Sequence, residues 1–194
     1  YNIIETGGDH STAIVTNSWA GNAYIYNNTI FNIQSDGSSK YAIGIRFGNP
    51  SSSNTRVKNN IVANLVSANS SGERAYEHGA NNGGAGTVDE AYNLSDNTAH
   101  SSYTAAGTGS LTGKTLSEID FESSAVSNES ERDAVDVRIG EDSDCVGAGV
   151  DLGSTNGVNI DIAGTTRSGD WSMGAFHVAA ASDTGNPAFL LFIV

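Results

Sequence analysis

The sequence is poor in cysteine, in cations and in long apolar runs, and each shortage excludes something. A single cysteine, Cys145, rules out an internal disulfide. Its neighbours Val146, Gly147 and Ala148 mark it as a small buried hydrophobe rather than a reactive thiol. Nine Lys and Arg stand against 22 Asp and Glu, for a net charge of −13. A nucleic-acid partner needs a basic face to neutralise phosphates, and these cations are too few to make one. Anionic membrane surfaces are disfavoured for the same reason. The longest bare apolar run, Ala188–Val194, is far short of the ~20 residues that cross a bilayer. It reads as a final strand over the core, or alternatively as the start of a truncated anchor.

Helix-favouring composition is also lacking. Charged residues are only 16% of the chain, and Ser, Asn, Thr and Gly supply its polarity. These are weak helix formers and good turn formers, which suits a secreted or surface-exposed β protein.

What is present is a repeat. Ile25-Tyr26-Asn27-Asn28-Thr29-Ile30-Phe31-Asn32-Ile33 overlays Val57-Lys58-Asn59-Asn60-Ile61-Val62-Ala63-Asn64-Leu65 without a gap. A weaker third copy, Val88–Leu94, brings Asn93 into line with Asn28 and Asn60. A second track runs between the copies, where Ile14, Ile45 and Tyr76 follow one another at equal steps of nearly the same length. Strand-like repeats with a period of about 32 residues predict a solenoid whose coils stack. Alternation points Ile25, Ile30, Val57 and Val62 inward and Tyr24, Tyr26, Arg56 and Lys58 outward. Stacking then sets Tyr24 against Arg56 and Tyr26 against Lys58, with Asn28 over Asn60 at a corner.

From residue 111 the repeat fades. Leu111–Phe121 reads as an irregular crossing segment and Asp136–Ile139 as a short strand. Ser143-Asp144-Cys145-Val146-Gly147-Ala148-Gly149 forms a turn with a Gly-rich stop. Asp161-Ile162-Ala163-Gly164-Thr165-Thr166-Arg167 and Trp171-Ser172-Met173-Gly174-Ala175-Phe176 follow. Together these segments resemble the C-terminal portion of the right-handed parallel β-helix proteins of the pectate-lyase-like superfamily. Ser172 and His177 stand where acids are common in that pattern, so the resemblance leaves Asp161 or Asp170 as the carboxylate for Arg167. It implies an all-β fold, a right-handed parallel β-helix (solenoid) with an irregular C-terminal closing segment. Coils would occupy 1–110, the closing segment 111–178 and a tail, read as a capping strand, 179–194. Fold alone does not transfer a function within this superfamily.

Tyr1–Thr6 already reads as strand, without Met or a signal peptide. A solenoid that begins mid-strand leaves its first coil uncovered. The expectation is a removed signal and upstream coils, or the C-terminal part of a longer protein.

Chemistry has few candidates. Lyases of this fold use an acidic Ca²⁺ cluster and a basic residue that removes a proton. Arg46, Arg56 and Lys58 supply cations, but their strands lack acids to hold a metal, so no cofactor is assigned and Ca²⁺ stays unsupported. No Asp-Asp pair suits hydrolysis. Glu141–Asp144 and Glu129–Asp133 read as solvated turns. His78, beside Arg74 and Glu77, is the best-placed titratable group, but it lacks a partner at a known spacing. His10, His100 and His177 have less context. Gly83-Gly84-Ala85-Gly86 lacks the strand–turn–helix setting of a nucleotide site. No catalytic residue or metal ligand is assigned.

The remaining lead is Tyr24, Tyr26 and Tyr41 as a platform for sugar rings, with Arg46, Arg56 and Lys58 beside it. The favoured expectation is a non-catalytic β-helical segment of a secreted, cell-surface or phage-tail protein that contacts a polysaccharide or cell-surface glycan. One alternative is a fragment of a polysaccharide lyase or glycoside hydrolase whose active site lies upstream. Another is a structural subunit of an extracellular filament or adhesin stalk that self-associates through solenoid ends.

Overall fold

The repeat folds as three parallel sheets that the chain visits in turn. The structure, a computed structural model, describes residues 2–5, 11–16, 22–36, 38, 40–48, 54–69, 72–79, 87–96, 107–124 and 136–180. Strands β1 (Asn2–Glu5), β4 (Thr29–Ser35), β7 (Ile61–Ser67) and β10 (Leu94–Ser95) form sheet A. Sheet B holds β2 (Ser11–Thr16), β5 (Ala42–Gly48) and β8 (Glu73–Gly79). Sheet C holds β3 (Ala23–Tyr26), β6 (Asn54–Lys58) and β9 (Thr87–Ala91). Every pairing in them is parallel, so each round of A, B and C stacks on the last. The arrangement is all-β and compatible with a parallel β-helix.

The register is the one the repeat predicts. Ile14 pairs with Ile45 and Ile45 with Tyr76. Tyr24 pairs with Arg56, and Tyr26 with Lys58. Ile25, Ile30, Val57 and Val62 are buried with Ile33, Ile45, Leu65 and Tyr76 in one interior cluster. In the last round Glu90 takes the place that Ile25 and Val57 hold, which ends the apolar track of sheet C.

The Asn residues of the motif do two different jobs. Asn27 and Asn59, with φ of 55° and 58°, turn the corner from sheet C to sheet A in the left-handed conformation. Asn32 and Asn64, with φ of 60° and 56°, repeat it inside β4 and β7. Asn tolerates this region better than other residues with a side chain, which gives the spacing of Asn in both copies. Tyr92 occupies the corner in the third round at φ 54°.

The middle Asn builds a ladder. Asn28 donates its backbone N–H and Nδ2 to Oδ1 of Asn60 at 3.0 and 2.9 Å. Asn60 donates the same pair to Oδ1 of Asn93, again at 3.0 and 2.9 Å. Asn60 Nδ2 also closes its own corner on the Lys58 carbonyl and reaches back one round to the carbonyl of Ile25.

The closing segment covers more than the end of the stack. Leu111 bridges Leu94 in parallel, as a last partial rung. A short helix α1 (Leu116–Ile119) follows, started by a capping box between Thr115 and Glu118. Strands β11 (Phe121–Ser123) and β12 (Asp136–Ile139) then pair antiparallel. Their side chains Phe121, Val137 and Ile139 join Phe31, Ile61 and Ala63 in a second core. Phe31 and Phe121 meet edge to face, with centroids 5.3 Å apart. Strands β4 and β7 of sheet A are therefore buried on both faces, by the interior of the coils and by the closing segment.

Cys145 is fully buried in this second core, and burial pushes its thiol up to about 12. The native protein is expected to show no reaction with Ellman's reagent at pH 8 over minutes, and one thiol per chain after denaturation. Rapid reaction of the native protein would contradict this burial.

His10, His100, Gly83–Gly86, Glu129–Asp133, Ala188–Val194 and the side chain of His78 lie outside the described residues.

Candidate functional site

The outer face of sheet C carries a row of polar and aromatic side chains that the repeat predicts. Strict alternation on β3 and β6 turns Tyr24, Tyr26, Arg56 and Lys58 away from the buried Ile25 and Val57. Tyr24 is 53% exposed. The Tyr24 and Tyr26 rings lie 5.8 Å apart, tilted by 41°. Arg56 holds its guanidinium carbon 5.9 Å from the centre of the Tyr24 ring, a loose cation–π contact. Burial pushes the Tyr26 phenol above its ordinary value, opposed by a hydrogen bond and the charge of Arg56.

The third round brings an acid that the strands themselves lack. Arg56 pairs with Asp89 across the ladder, and Lys58 Nζ reaches Asp89 Oδ2 at 2.8 Å. Lys58 thus spends its charge within the sheet, and Arg56 is the exposed cation beside the tyrosines.

The six sequence-predicted residues do not share one sheet. Arg46 lies on β5 and Tyr41 just before it, in sheet B. There Glu77, from β8, gathers both neighbouring cations. Arg74 donates to Glu77 at 2.6 Å, and Arg46 Nε lies 3.6 Å from its other oxygen. The Arg74 guanidinium stacks on the Tyr41 ring with its carbon 3.8 Å from the centroid. Tyr41 and Arg46 therefore belong to a separate cluster of ion pairs, apart from Tyr24, Tyr26, Arg56 and Lys58 on sheet C. Sequence reasoning missed Glu77 and Asp89 as partners. The step that carries Ile45 to Tyr76 also carries Arg46 to Glu77, and a charge read along the ladder would have found the pair.

The closing segment adds a wall that the repeat does not announce. Asn59 grips it through Val150, donating Nδ2 to its carbonyl at 2.8 Å and accepting its N–H at 2.9 Å. Asn27 Nδ2, one round earlier, holds the Val158 carbonyl at 2.8 Å. Between Tyr26 and this wall lies a cavity of about 300 Å³, with Ile160, Ile162 and Arg167 on its far side. The buried Arg167 is tied to main chain rather than to an acid. It donates to the carbonyls of Ser172 at 2.9 Å and Gly174 at 2.6 Å. Asp161 spends its carboxylate on the N–H groups of Ala163, Thr165 and His177. Burial and the Arg167 charge lower the affinity of the His177 ring for a proton.

Among the described residues no group of three or more His, Cys, Asp or Glu side chains is placed to hold a metal, and no helix is long and apolar enough to cross a membrane. The acidic turn at Glu141–Asp144 is tied into the closing segment, where Lys114 reaches Asp144 at 2.5 Å.

No family model matches the chain, and neither curated proteins nor solved structures give a significant match.

Proposed function

We propose that this chain is a segment of a right-handed parallel β-helix of the pectate-lyase-like kind, belonging to an extracellular or cell-surface protein, and that it contacts a glycan without catalysing a reaction. The observation that carries this reading is the exposed Tyr24–Tyr26 pair with Arg56 at its side, set on a rigid sheet. Sugar rings present apolar C–H faces that lie on aromatic rings, and a guanidinium beside them donates to hydroxyls or a carboxylate. The sheet holds both tyrosines by backbone pairing on β3, so little order is lost on binding. The ion pairs of Lys58 and of Arg46 and Arg74 support a binding face over a lyase centre, because their charges are already matched.

The test is a panel of neutral and acidic polysaccharides measured by affinity electrophoresis, with product analysis for turnover. One class is expected to retard the protein, with no product. Tyr24→Ala is expected to weaken that binding about tenfold, with the fold kept because the side chain lies outside the core. Retardation unchanged by Tyr24→Ala and Arg56→Ala, or no retardation by any glycan, would overturn the proposal. Release of unsaturated or hydrolysed products would overturn the non-catalytic part.

A further inference from the structure

We infer that a second cavity, built wholly by the closing segment, binds a small hydroxycarboxylic acid whose carboxylate is held by Arg167. The inference goes beyond the glycan reading and does not rest on it.

This cavity has a volume of about 320 Å³, at the lower end of the range for small-molecule sites. Every residue that lines it falls between Asp151 and Trp171, so no coil residue forms its wall. Arg167 and Trp171 are its buried part, 4% and 3% exposed. Asp151, Ser154 and Ser168 are exposed on its rim, and Asn159 is half-buried.

Arg167 is the reason to expect an anion. A buried charge is ordinarily matched by an opposite one. Among the described residues no carboxylate pairs with this guanidinium, since Asp161 spends its oxygens on main-chain N–H groups. A guanidinium carries five N–H donors. Nη1 of Arg167 serves the Ser172 carbonyl and Nη2 the Gly174 carbonyl. Nε is buried and donates to nothing among the described residues. Nε and a neighbouring Nη form an edge that takes a carboxylate through two parallel hydrogen bonds. The Trp171 ring, its centre 5.9 Å from the guanidinium carbon, flanks the charge without neutralising it.

The rest of the wall narrows the ligand. Ser154, Asn159 and Ser168 bring groups that both donate and accept, which suits hydroxyls rather than an alkyl chain. Asp151 keeps one oxygen on the Gly153 N–H at 2.7 Å, and its charge stays on the rim. In a chain of net charge −13 this disfavours a dianion such as phosphate and favours a single carboxylate with hydroxyls beside it.

The experiment titrates the protein with D-gluconate by calorimetry and by amide chemical shifts. Glucose is the uncharged control, acetate the control without hydroxyls and sulfate the inorganic one. Saturable gluconate binding is expected, with glucose and acetate each at least tenfold weaker and the shifts confined to Asp151–Trp171. Ser168→Glu, on an exposed side chain, sets a competing carboxylate at the rim and is expected to weaken gluconate at least tenfold with Tm unchanged. Arg167→Lys keeps the charge, removes the fork and is expected to weaken it similarly. Ser168→Glu carries the test if the Arg167 variant unfolds. No saturable gluconate binding, glucose binding as tightly as gluconate, or affinity unchanged by Ser168→Glu would overturn the inference. Acetate or sulfate matching gluconate would mean an adventitious ion only and would overturn it too. So would loss of gluconate binding in Tyr24→Ala, which would move the ligand to sheet C.

Discussion

Asn60→Asp is expected to destabilise the protein by about 4 kcal/mol at neutral pH, close to the whole stability of many domains. The substitution changes one atom's chemistry and almost no volume. Asn60 is fully buried, and its Nδ2 faces three acceptors: the Ile25 and Lys58 carbonyls and Oδ1 of Asn93. An Asp carboxylate cannot donate to any of them and leaves a buried charge among carbonyl oxygens. Its Oδ1 side remains served by Asn28, which cannot balance the other. The pH dependence follows with a definite sign. Burial and the facing acceptors raise the folded-state pKa of such an Asp above the unfolded value of about 3.9. The folded state then takes up a proton that the unfolded state does not. The deficit is full above the raised pKa and shrinks as pH falls towards the unfolded value. Asn28→Asp serves as the comparison: Asn28 is only half-buried, so water can reach the charge and the loss is smaller. Urea denaturation of the three proteins at pH 7 and pH 4.5 reads the prediction. Equal losses for both variants, or a deficit that grows on acidification, would contradict the ladder.

The second large effect is expected for Gly174→Ala, a loss of about 3 kcal/mol, in which two causes add. Gly174 has φ 89°, a conformation that costs an L side chain about 1 kcal/mol or more. An added Cβ would also lie 2.6 Å from Ile61 Cδ1 and 2.8 Å from Thr29 Oγ1. Overpacking a filled site costs about 1–3 kcal/mol more. The Thr29 hydroxyl cannot simply turn away, because it accepts the N–H of Ala175. Gly174 itself donates to the Asn59 carbonyl at 2.7 Å and accepts from Arg167, so its displacement loosens the closing segment from the coils. Gly153→Ala separates the two causes. Gly153 has φ 76° and open space around it, so only the conformational part remains. Thermal unfolding should show the larger loss at Gly174. Equal shifts for the two would remove the close approach from the argument.

Much of the coil geometry was legible because a repeat reports on itself. When Ile25 and Val57 occupy the same place in two copies, stacking sets their register without any further contact being known. The pairing of Tyr24 with Arg56 and the Asn28–Asn60 contact followed from the same offset. The role of Asn32 and Asn64 was harder to see. Their shared offset marks them as equivalent, but only backbone angles show that they bend β4 and β7. The apolar pairs Ile30-Phe31 and Ile61-Val62 were a further sign, since a strand with one solvated face alternates more strictly. They belong to strands covered twice. The candidate site divided in two for a comparable reason. Alternation says which side chains leave the core, and it does not say that Tyr41 is stacked on by Arg74 or that Glu77 gathers Arg46.

The sequence by itself determined the strand tracks, their period and the row of outward residues on β3 and β6, because these depend on neighbours one period apart. Only the tertiary structure decided where residues 107–124 and 136–180 go. Their docking rests on contacts made once, between segments of unrelated pattern: Phe31 with Phe121, Asn59 with Val150, Asn27 with Val158, Gly174 with Ile61. No periodicity encodes such contacts, and they are what encloses β4 and β7 and sets a wall beside Tyr26.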